Sequence, residues 1–280
     1  MPNLYILQNN DWSCTISPDF GSNVISLRHH NYPVLREPKC FDDLKKEPVL
    51  YGFPILLPPN RTANGKFCFN GIEYHLPINE PLHYNHLHGN LHSAPFDVLS
   101  YTQTELLTQF INDGTFFPFP FKLEILDHLQ ETGFIRTLTI KNIGTSAMPL
   151  VLGFHTAFTA PRTFSVPIGD RWCVDEHYIP TGVKTSLTNE QLTYRSGCNL
   201  SGQKISGFFE SVDNIAYINE YQFEVNGFDQ WILFNGNGKQ DFLCVEPQLG
   251  SVNALNSGGY VKLEPAESYI CSLRISYLIE

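Results

Sequence analysis

The chain has 280 residues, 42% of them hydrophobic and only 16% charged, so it is long and apolar enough to bury a large core. Its formal net charge of -10, with no stripe of lysine and arginine, argues against a nucleic-acid or acidic-membrane partner and favours a neutral over a polyanionic substrate. Seven cysteines without a CxxC pair are typical of free thiols in a reducing compartment. With no N-terminal signal pattern and no long apolar run, the sequence predicts a soluble, cytoplasmic protein.

Short strands separated by turn residues dominate the first half of the chain. Asn64-Gly65 and Asn70-Gly71 each lie between strand-like runs, which is the strongest short signal for a β-hairpin. Strand lengths and β-branched or aromatic content predict further strands at residues 4–7, 14–17, 24–28, 96–99, 106–111, 121–128, 134–141 and 149–154.

The second half repeats this pattern, with strands predicted at residues 212–217, 222–225, 231–235, 242–245, 259–263 and 269–277. Helical periodicity is confined to a turn or two at residues 40–46 and 188–192. No linker, low-complexity tract or internal repeat divides the chain. We therefore expect one domain over residues 1–280, all-β, built as a large antiparallel sandwich or barrel.

Glu246 stands where the buried strand at residues 242–245 is expected to end at Pro247. A carboxylate at the rim of a sheet is half-buried, and burial raises its pKa towards neutrality, where it can exchange protons. An ordinary charged residue at a strand edge would give the same pattern.

Asn60 and Arg61 follow a buried apolar run that ends in two prolines. An arginine in such a place pairs with a carboxylate or points into a cleft. The first alternative is a structural ion pair and the second is a binding residue.

Four histidines lie in the segment HYNHLHGNLH, residues 83–92. In an extended chain His86 and His88 share one face, and such HxH pairs on all-β scaffolds bind metal in cupins. No acidic residue lies in the segment to complete a metal site. His83 and His92 are interpreted as loop residues.

His155, in the motif GFHTAF, ends a predicted apolar strand. A histidine there is either a core residue satisfied by a neighbour or, with an ordinary pKa near 6.5, a proton donor.

Taken together, these motifs resemble the aldose 1-epimerase (galactose mutarotase-like) family, which folds as a large antiparallel β-supersandwich. The resemblance spans most of the chain and rests, in order, on NR at 60–61, NGKFCFNGIEYHLPIN, LHG at 87–89, PFPFKLEI at 118–125, GFHTAF at 153–158, VDEHYIPTG at 174–182 and CVEPQLGSVNALN at 244–256. GFHTAF and EPQ depart from the galactose enzymes, so the resemblance leaves the sugar open.

The resemblance implies a mutarotase that interconverts the α and β anomers of a hexose by general acid–base catalysis, without cofactor or metal. It implies these roles: Glu246 as general base, His155 as general acid, His88 as a further catalytic residue, and Arg61, Asn60 and Gln248 as sugar-binding residues. The family's sugar-binding aspartate corresponds to Asp213 or, as second choice, Asp229.

For this reaction we expect Glu246 to be ionised, His155 to be protonated, and the two to flank the sugar from opposite sides of a pocket. Phe117, Phe119 and Trp231 are candidate stacking aromatics, although core packing is their commoner role. Three other functions fit the same residues: a non-catalytic sugar-binding or sugar-sensing protein, a hexose-6-phosphate mutarotase, and a cupin-like metalloenzyme using His86 and His88. The partner would be a monosaccharide, and the chain a monomer or weak homodimer.

Overall fold

The computed structural model describes residues 2–200 and 202–278. Its strands in the first half of the chain are β1 (Tyr5–Gln8), β2 (Trp12–Ser17), β3 (Asn23–His29), β4 (Tyr32–Pro33), β5 (Ile55–Leu56), β6 (Arg61–Ala63), β7 (Lys66–Phe69), β8 (Ile72–His75), β9 (Asn85–Leu87), β10 (Asp97–Tyr101), β11 (Glu105–Asn112), β12 (Phe121–Gln130) and β13 (Gly133–Asn142). Those that follow are β14 (Met148–Leu150), β15 (Leu152–Phe154), β16 (Ala157–Thr159), β17 (Phe164–Ser165), β18 (Ile168–Val174), β19 (Pro180–Thr185), β20 (Ser206–Ser211), β21 (Ile215–Ile218), β22 (Tyr221–Asn226), β23 (Gln230–Phe234), β24 (Phe242–Leu249), β25 (Val261–Leu263) and β26 (Ser268–Tyr277).

Helices are few and short, and the predicted all-β fold is confirmed. They are α1 (Phe41–Lys46), α2 (Asn189–Ser196), α3 (Ala254–Ser257) and a 3-10 turn at Leu91–Ser93. The two predicted helical turns correspond to α1 and α2. The second of these begins at a capping box, in which the Thr188 side chain accepts a hydrogen bond from Gln191 N. In the part of the chain that the structure describes, no helix has the length and apolarity to span a membrane.

Two large antiparallel sheets form the sandwich. One has the strand order β10-β11-β12-β13-β26-β22-β21-β17, and the other has the order β19-β18-β20-β23-β24-β15-β5, with β16 also paired to β24. Their inner faces meet at Phe223 of the first sheet, whose ring lies 6.0 Å from Trp231 and 5.3 Å from Phe158 of the second. Alternation along each strand supplies the apolar inner face, as a half-buried sheet requires.

The β7–β8 hairpin closes through Asn70-Gly71, both with positive φ, as predicted. Asn64-Gly65 also makes a turn with positive φ at both residues. However, β6, which precedes this turn, pairs with β9 and not with β7. The prediction of a second hairpin is therefore wrong about the strand that pairs with β6. The actual pairing places Arg61 beside Leu87, next to His88.

The prediction that the strand ends at Pro247 is wrong, because β24 continues through it to Leu249. Val245 N donates a hydrogen bond to Thr156 O, on the side of β24 that faces β16. Pro247 is two residues later in the strand, so the side on which it lacks an N–H donor is the same one. There the neighbouring strand is interrupted between β15 and β16, so no ladder hydrogen bond is lost. Glu246 is consequently a mid-strand residue and not a rim residue.

Candidate active site

Glu246 and His155 approach each other at the floor of a cavity of about 500 Å³. Alternation along β24 turns Leu243 and Val245 into the main core and Glu246 to the opposite face. His155 occupies the break between β15 and β16, and its Nε2 lies 3.3 Å from Glu246 Oε1. Both side chains are buried, with Glu246 only 4% and His155 only 5% exposed.

Burial favours the uncharged form of both groups in this pair. It raises the pKa of Glu246 well above its ordinary value, against the opposing effect of the Arg61 charge. It also lowers the pKa of His155 to about 3. These two shifts favour a protonated Glu246 beside a neutral His155, the reverse of the charges expected from the sequence. The two residues also lie side by side and not on opposite sides.

His88 completes the histidine side of the cavity. Its ring stands edge-on to His155, with centroids 5.3 Å apart and an interplanar angle of 86°. Its backbone has a positive φ and its N–H donates to Asn60 O over 2.8 Å. The following Gly89 permits this turn, because a Cβ atom there would lie 2.0 Å from Leu57 O. Burial, reinforced by the neighbouring His155, lowers the pKa of His88 well below its ordinary value, so the ring is neutral.

Arg61 lines the cavity and is also paired with a carboxylate. Its Nε and Nη2 donate to the two carboxylate oxygens of Glu80 over 2.8 and 2.7 Å, a bidentate pair. Its Nη1 lies 3.3 Å from Asn60 Oδ1, and its guanidinium lies over the Tyr178 ring at 4.9 Å. These contacts fix the direction of a cation that lines the cavity.

Glu80 was not anticipated as part of this arrangement. It also accepts a hydrogen bond from Asn85 Nδ2 over 3.1 Å. Burial alone would raise the pKa of Glu80, but the hydrogen bonds from Arg61 and Asn85 lower it, so the carboxylate is ionised. The sequence did contain a signal for this pair: an arginine in the position of Arg61 is expected to pair with a carboxylate, and Glu80 lies just before the histidine-rich segment.

Other cavity-lining residues come from segments without an obvious sequence signal. The last residue of α1 and the chain that follows it, residues 46–50, form part of the wall, and His83 and Tyr178 also line the cavity. The aromatic wall residues are Tyr178, Phe208 and Phe234. Phe117, Phe119 and Trp231 are instead buried in the core, at most 3% exposed.

The remaining predicted residues lie elsewhere. His86 is buried, with its Nδ1 2.8 Å from Pro77 O, and does not belong to the cavity wall. His92 is partly buried, and burial lowers its pKa to about 4. Gln248 shares the Glu246 face of β24, but its Nε2 donates to Gly250 O over 2.9 Å and it does not line the cavity.

Neither candidate aspartate reaches the cavity. Asp213 is exposed in the turn after β20, where its backbone oxygen accepts a hydrogen bond from Trp231 Nε1 over 3.1 Å. Asp229 precedes β23, and its Oδ1 accepts a hydrogen bond from Gly250 N over 2.8 Å. It lines a separate depression of about 800 Å³ together with Asp170 and Glu210. We therefore leave both aspartates out of the site.

Known protein families include one that this chain matches over most of its length. The family model for aldose 1-epimerase matches residues 3–270. The chain belongs to the aldose 1-epimerase family. Among curated proteins it is 28% identical to YihR of Escherichia coli strain K12, an uncharacterized protein, over 75% of this chain and 74% of that one.

Solved structures show the same fold. A galactose mutarotase-like protein of Clostridium acetobutylicum superposes with a TM-score of 0.87 at 25% identity, over 96% of this chain and 93% of that one. A galactose 1-epimerase of Lactobacillus acidophilus NCFM gives a TM-score of 0.81 at 16% identity, over 97% and 93% of the two chains. The predicted mutarotase-like supersandwich is thus confirmed.

Proposed function

We propose that this protein is an aldose 1-epimerase that interconverts the α and β anomers of a neutral hexose. The observation that carries the proposal is the 3.3 Å contact between two buried proton-transfer groups, His155 and Glu246, at the floor of a cavity. Its volume of about 500 Å³ is in the range of small-molecule sites and accommodates a monosaccharide.

Ring opening needs one proton removed from the anomeric hydroxyl and one given to the ring oxygen. In this proposal Glu246 takes the hydroxyl proton, the bond between the anomeric carbon and the ring oxygen breaks, and His155 protonates that oxygen. The aldehyde then rotates, and the reverse transfers close the ring on its other face. Because the two oxygens share one carbon, adjacent acid and base groups can serve both.

The pair carries one proton in either arrangement. Opening starts from the carboxylate and imidazolium form and leaves the carboxylic acid and neutral imidazole form, which is the form that burial favours. Closing starts from this second form. Moving the proton across the 3.3 Å contact exchanges the two forms, and the Arg61 charge, which lowers the pKa of Glu246, assists the first.

The charges around the cavity support a neutral substrate. Arg61 is neutralised by its bidentate pair with Glu80, and Lys46 is followed by Glu47 at the wall. A phosphorylated hexose would need uncompensated cations at this position. In the proposal Arg61, Asn60 and His88 orient the sugar through hydrogen bonds, which contributes mainly by reducing the entropy of the reacting complex.

Polarimetry on freshly dissolved α-D-glucose and α-D-galactose tests the proposal. We expect wild-type protein to accelerate anomerisation of at least one, and Glu246→Gln and His155→Gln each to lower the rate by about 10²–10⁴-fold. Asp213→Asn is the matched control and should retain the wild-type rate, since this side chain lies outside the cavity. A Glu246→Gln variant as fast as wild type would contradict the mechanism. Saturable sugar binding without acceleration by wild-type protein would identify a non-catalytic sugar-binding protein.

A further inference from the structure

Beside the proposed acid–base pair lies a thiol that the reaction does not use. Cys244 is two residues before Glu246 on β24, so both side chains lie on the same face of the sheet. His155, Cys244 and Glu246 each offer one ligand atom, and the three atoms lie within 4.8 Å of one another. All three residues are buried.

We propose that His155, Cys244 and Glu246 bind one divalent cation of the Zn²⁺ or Cd²⁺ type, and that the bound ion inhibits the enzyme. Imidazole, thiolate and carboxylate are the ligands that zinc takes in proteins, and three of them leave a fourth position for water. The ion would occupy the place where the proton-transfer pair acts. Only the inhibition rests on the proposed function; the binding does not.

The geometry needs little adjustment. A tetrahedral zinc site with ordinary bond lengths has neighbouring ligand atoms about 3.5 Å apart. His155 Nε2 and Glu246 Oε1 already meet this spacing at 3.3 Å, and no two of the three ligand atoms are more than 4.8 Å apart. His155 and Glu246 line the cavity, so an ion that enters the cavity meets two of the three ligands directly.

Two further observations favour a bound cation here. The His155 Nδ1 atom is buried without a hydrogen-bond partner among the described residues, so no hydrogen bond from this nitrogen opposes metal binding by the ring. Arg61 is paired with Glu80, and none of the described lysine and arginine side chains forms an ion pair with Glu246. Cations such as Mg²⁺ should not compete, because they require more oxygen ligands than this cluster supplies.

Cadmium titration tests the binding without reference to activity. The parent protein should carry Cys40→Ser and Cys68→Ser, because these two thiols are exposed and would bind cadmium on their own. We expect one Cd²⁺ per chain with the ultraviolet absorption of a cadmium–thiolate bond. Adding Cys244→Ala should abolish this absorption and weaken binding by about tenfold or more. Cys271→Ala, which removes a buried thiol outside the cluster, is the matched control and should leave both unchanged.

Inhibition is tested separately on the same proteins. Zn²⁺ should inhibit anomerisation by the parent at lower concentration than by the Cys244→Ala variant, while Mg²⁺ has no effect. Equal cadmium affinity and absorption in the parent and the Cys244→Ala variant would overturn the metal site. If the parent accelerates no sugar, the proposed function fails but the cadmium titration still decides the metal site. Cadmium binding with undiminished anomerisation would overturn the inhibition alone.

Discussion

Two buried acidic residues in this molecule lie in contrasting surroundings. Asp127 on β12 faces Arg136 on β13 in the core, and both side chains are fully buried. The two carboxylate oxygens of Asp127 accept hydrogen bonds from Arg136 Nε and Nη2 over 2.7 and 2.8 Å. Glu246 on β24 is buried to a similar degree, but it approaches a neutral imidazole at 3.3 Å and faces a cavity.

The Asp127 pair is satisfied on every side that the structure describes. Arg136 also donates to Phe53 O and to Ser22 O over 3.3 and 2.6 Å, so its fork ties two loops to the sheet. Such a network is rigid and specifies one arrangement of the chain. Burial raises the pKa of Asp127, and the charge and hydrogen bonds of Arg136 oppose that rise.

The hydrogen-bonding groups of the Glu246 and His155 pair are only partly satisfied, and this makes the pair suited to proton transfer. Its proton has two neighbouring acceptors, neither of which is held by a permanent opposite charge in direct contact. A buried polar group in this condition costs folding free energy. The comparison indicates that the core pair contributes to stability while the cavity pair contributes reactivity at the expense of stability.

The largest expected effect comes from breaking the core pair. Arg136→Met leaves Asp127 buried without a partner, and we expect a loss of about 3–5 kcal/mol in the free energy of unfolding, measured by urea denaturation. Arg162→Met, which breaks an exposed ion pair with Glu220, should cost less than about 1 kcal/mol. Equal losses in the two variants would contradict the comparison. The double variant Arg136→Met/Asp127→Leu should recover part of the stability, because it removes the unpaired charge.

The core pair shows how far the sequence could have been taken. The Thr132-Gly133 dipeptide marks a turn between the strands predicted at residues 121–128 and 134–141, and a two-residue turn at these positions would place residue 127 opposite residue 138. The actual turn lies one residue earlier, because Gln130 pairs with Gly133, and this register places Asp127 opposite Arg136. The sequence therefore predicts the two paired strands but not the register that joins the core pair.

The sequence predicts the active site only in part, and the reason is physical. His155 and Glu246 are 91 positions apart in numbering, and what joins them is the break between β15 and β16, which no local pattern predicts. Family resemblance supplied these residues, but not the proton's position, which depends on burial. The choice between Asp213 and Asp229 had the same weakness, since both occur in turns and only the fold shows which cavity a turn reaches.

An intermediate effect is expected from Glu80, the carboxylate that holds Arg61. Glu80→Gln keeps the shape but weakens the bidentate pair, so Arg61 loses its fixed direction. We expect KM for the preferred sugar to rise about tenfold, equivalent to about 1.4 kcal/mol, with a smaller change in kcat. Glu73→Gln, at an exposed acid on β8, is the matched control and should leave both constants unchanged. A fall in kcat at constant KM would place Glu80 in the chemical step instead.

The smallest effect concerns the stability cost of the cavity pair and its dependence on pH. Because burial raises the folded-state pKa of Glu246, the folded protein binds more protons than the unfolded chain above the ordinary pKa of 4.5. Stability contributed by this group is therefore present below pH 4.5 and is lost as the pH rises through the raised pKa. Glu246→Gln does not titrate and should escape this loss.

We therefore expect Glu246→Gln to be as stable as wild type near pH 4.5 and more stable at pH 8, by urea denaturation in metal-free buffer with EDTA. Glu80→Gln should show the opposite sign, because the pKa of Glu80 is lowered and its contribution is present above pH 4.5 and lost on acidification. Glu80→Gln leaves the surroundings of His155 unchanged, so His155, whose pKa is lowered to about 3, destabilises that variant and wild type alike below pH 6.5. A Glu246→Gln variant less stable than wild type at pH 8 would show that the carboxylate is satisfied in the fold, and the contrast with Asp127 would disappear.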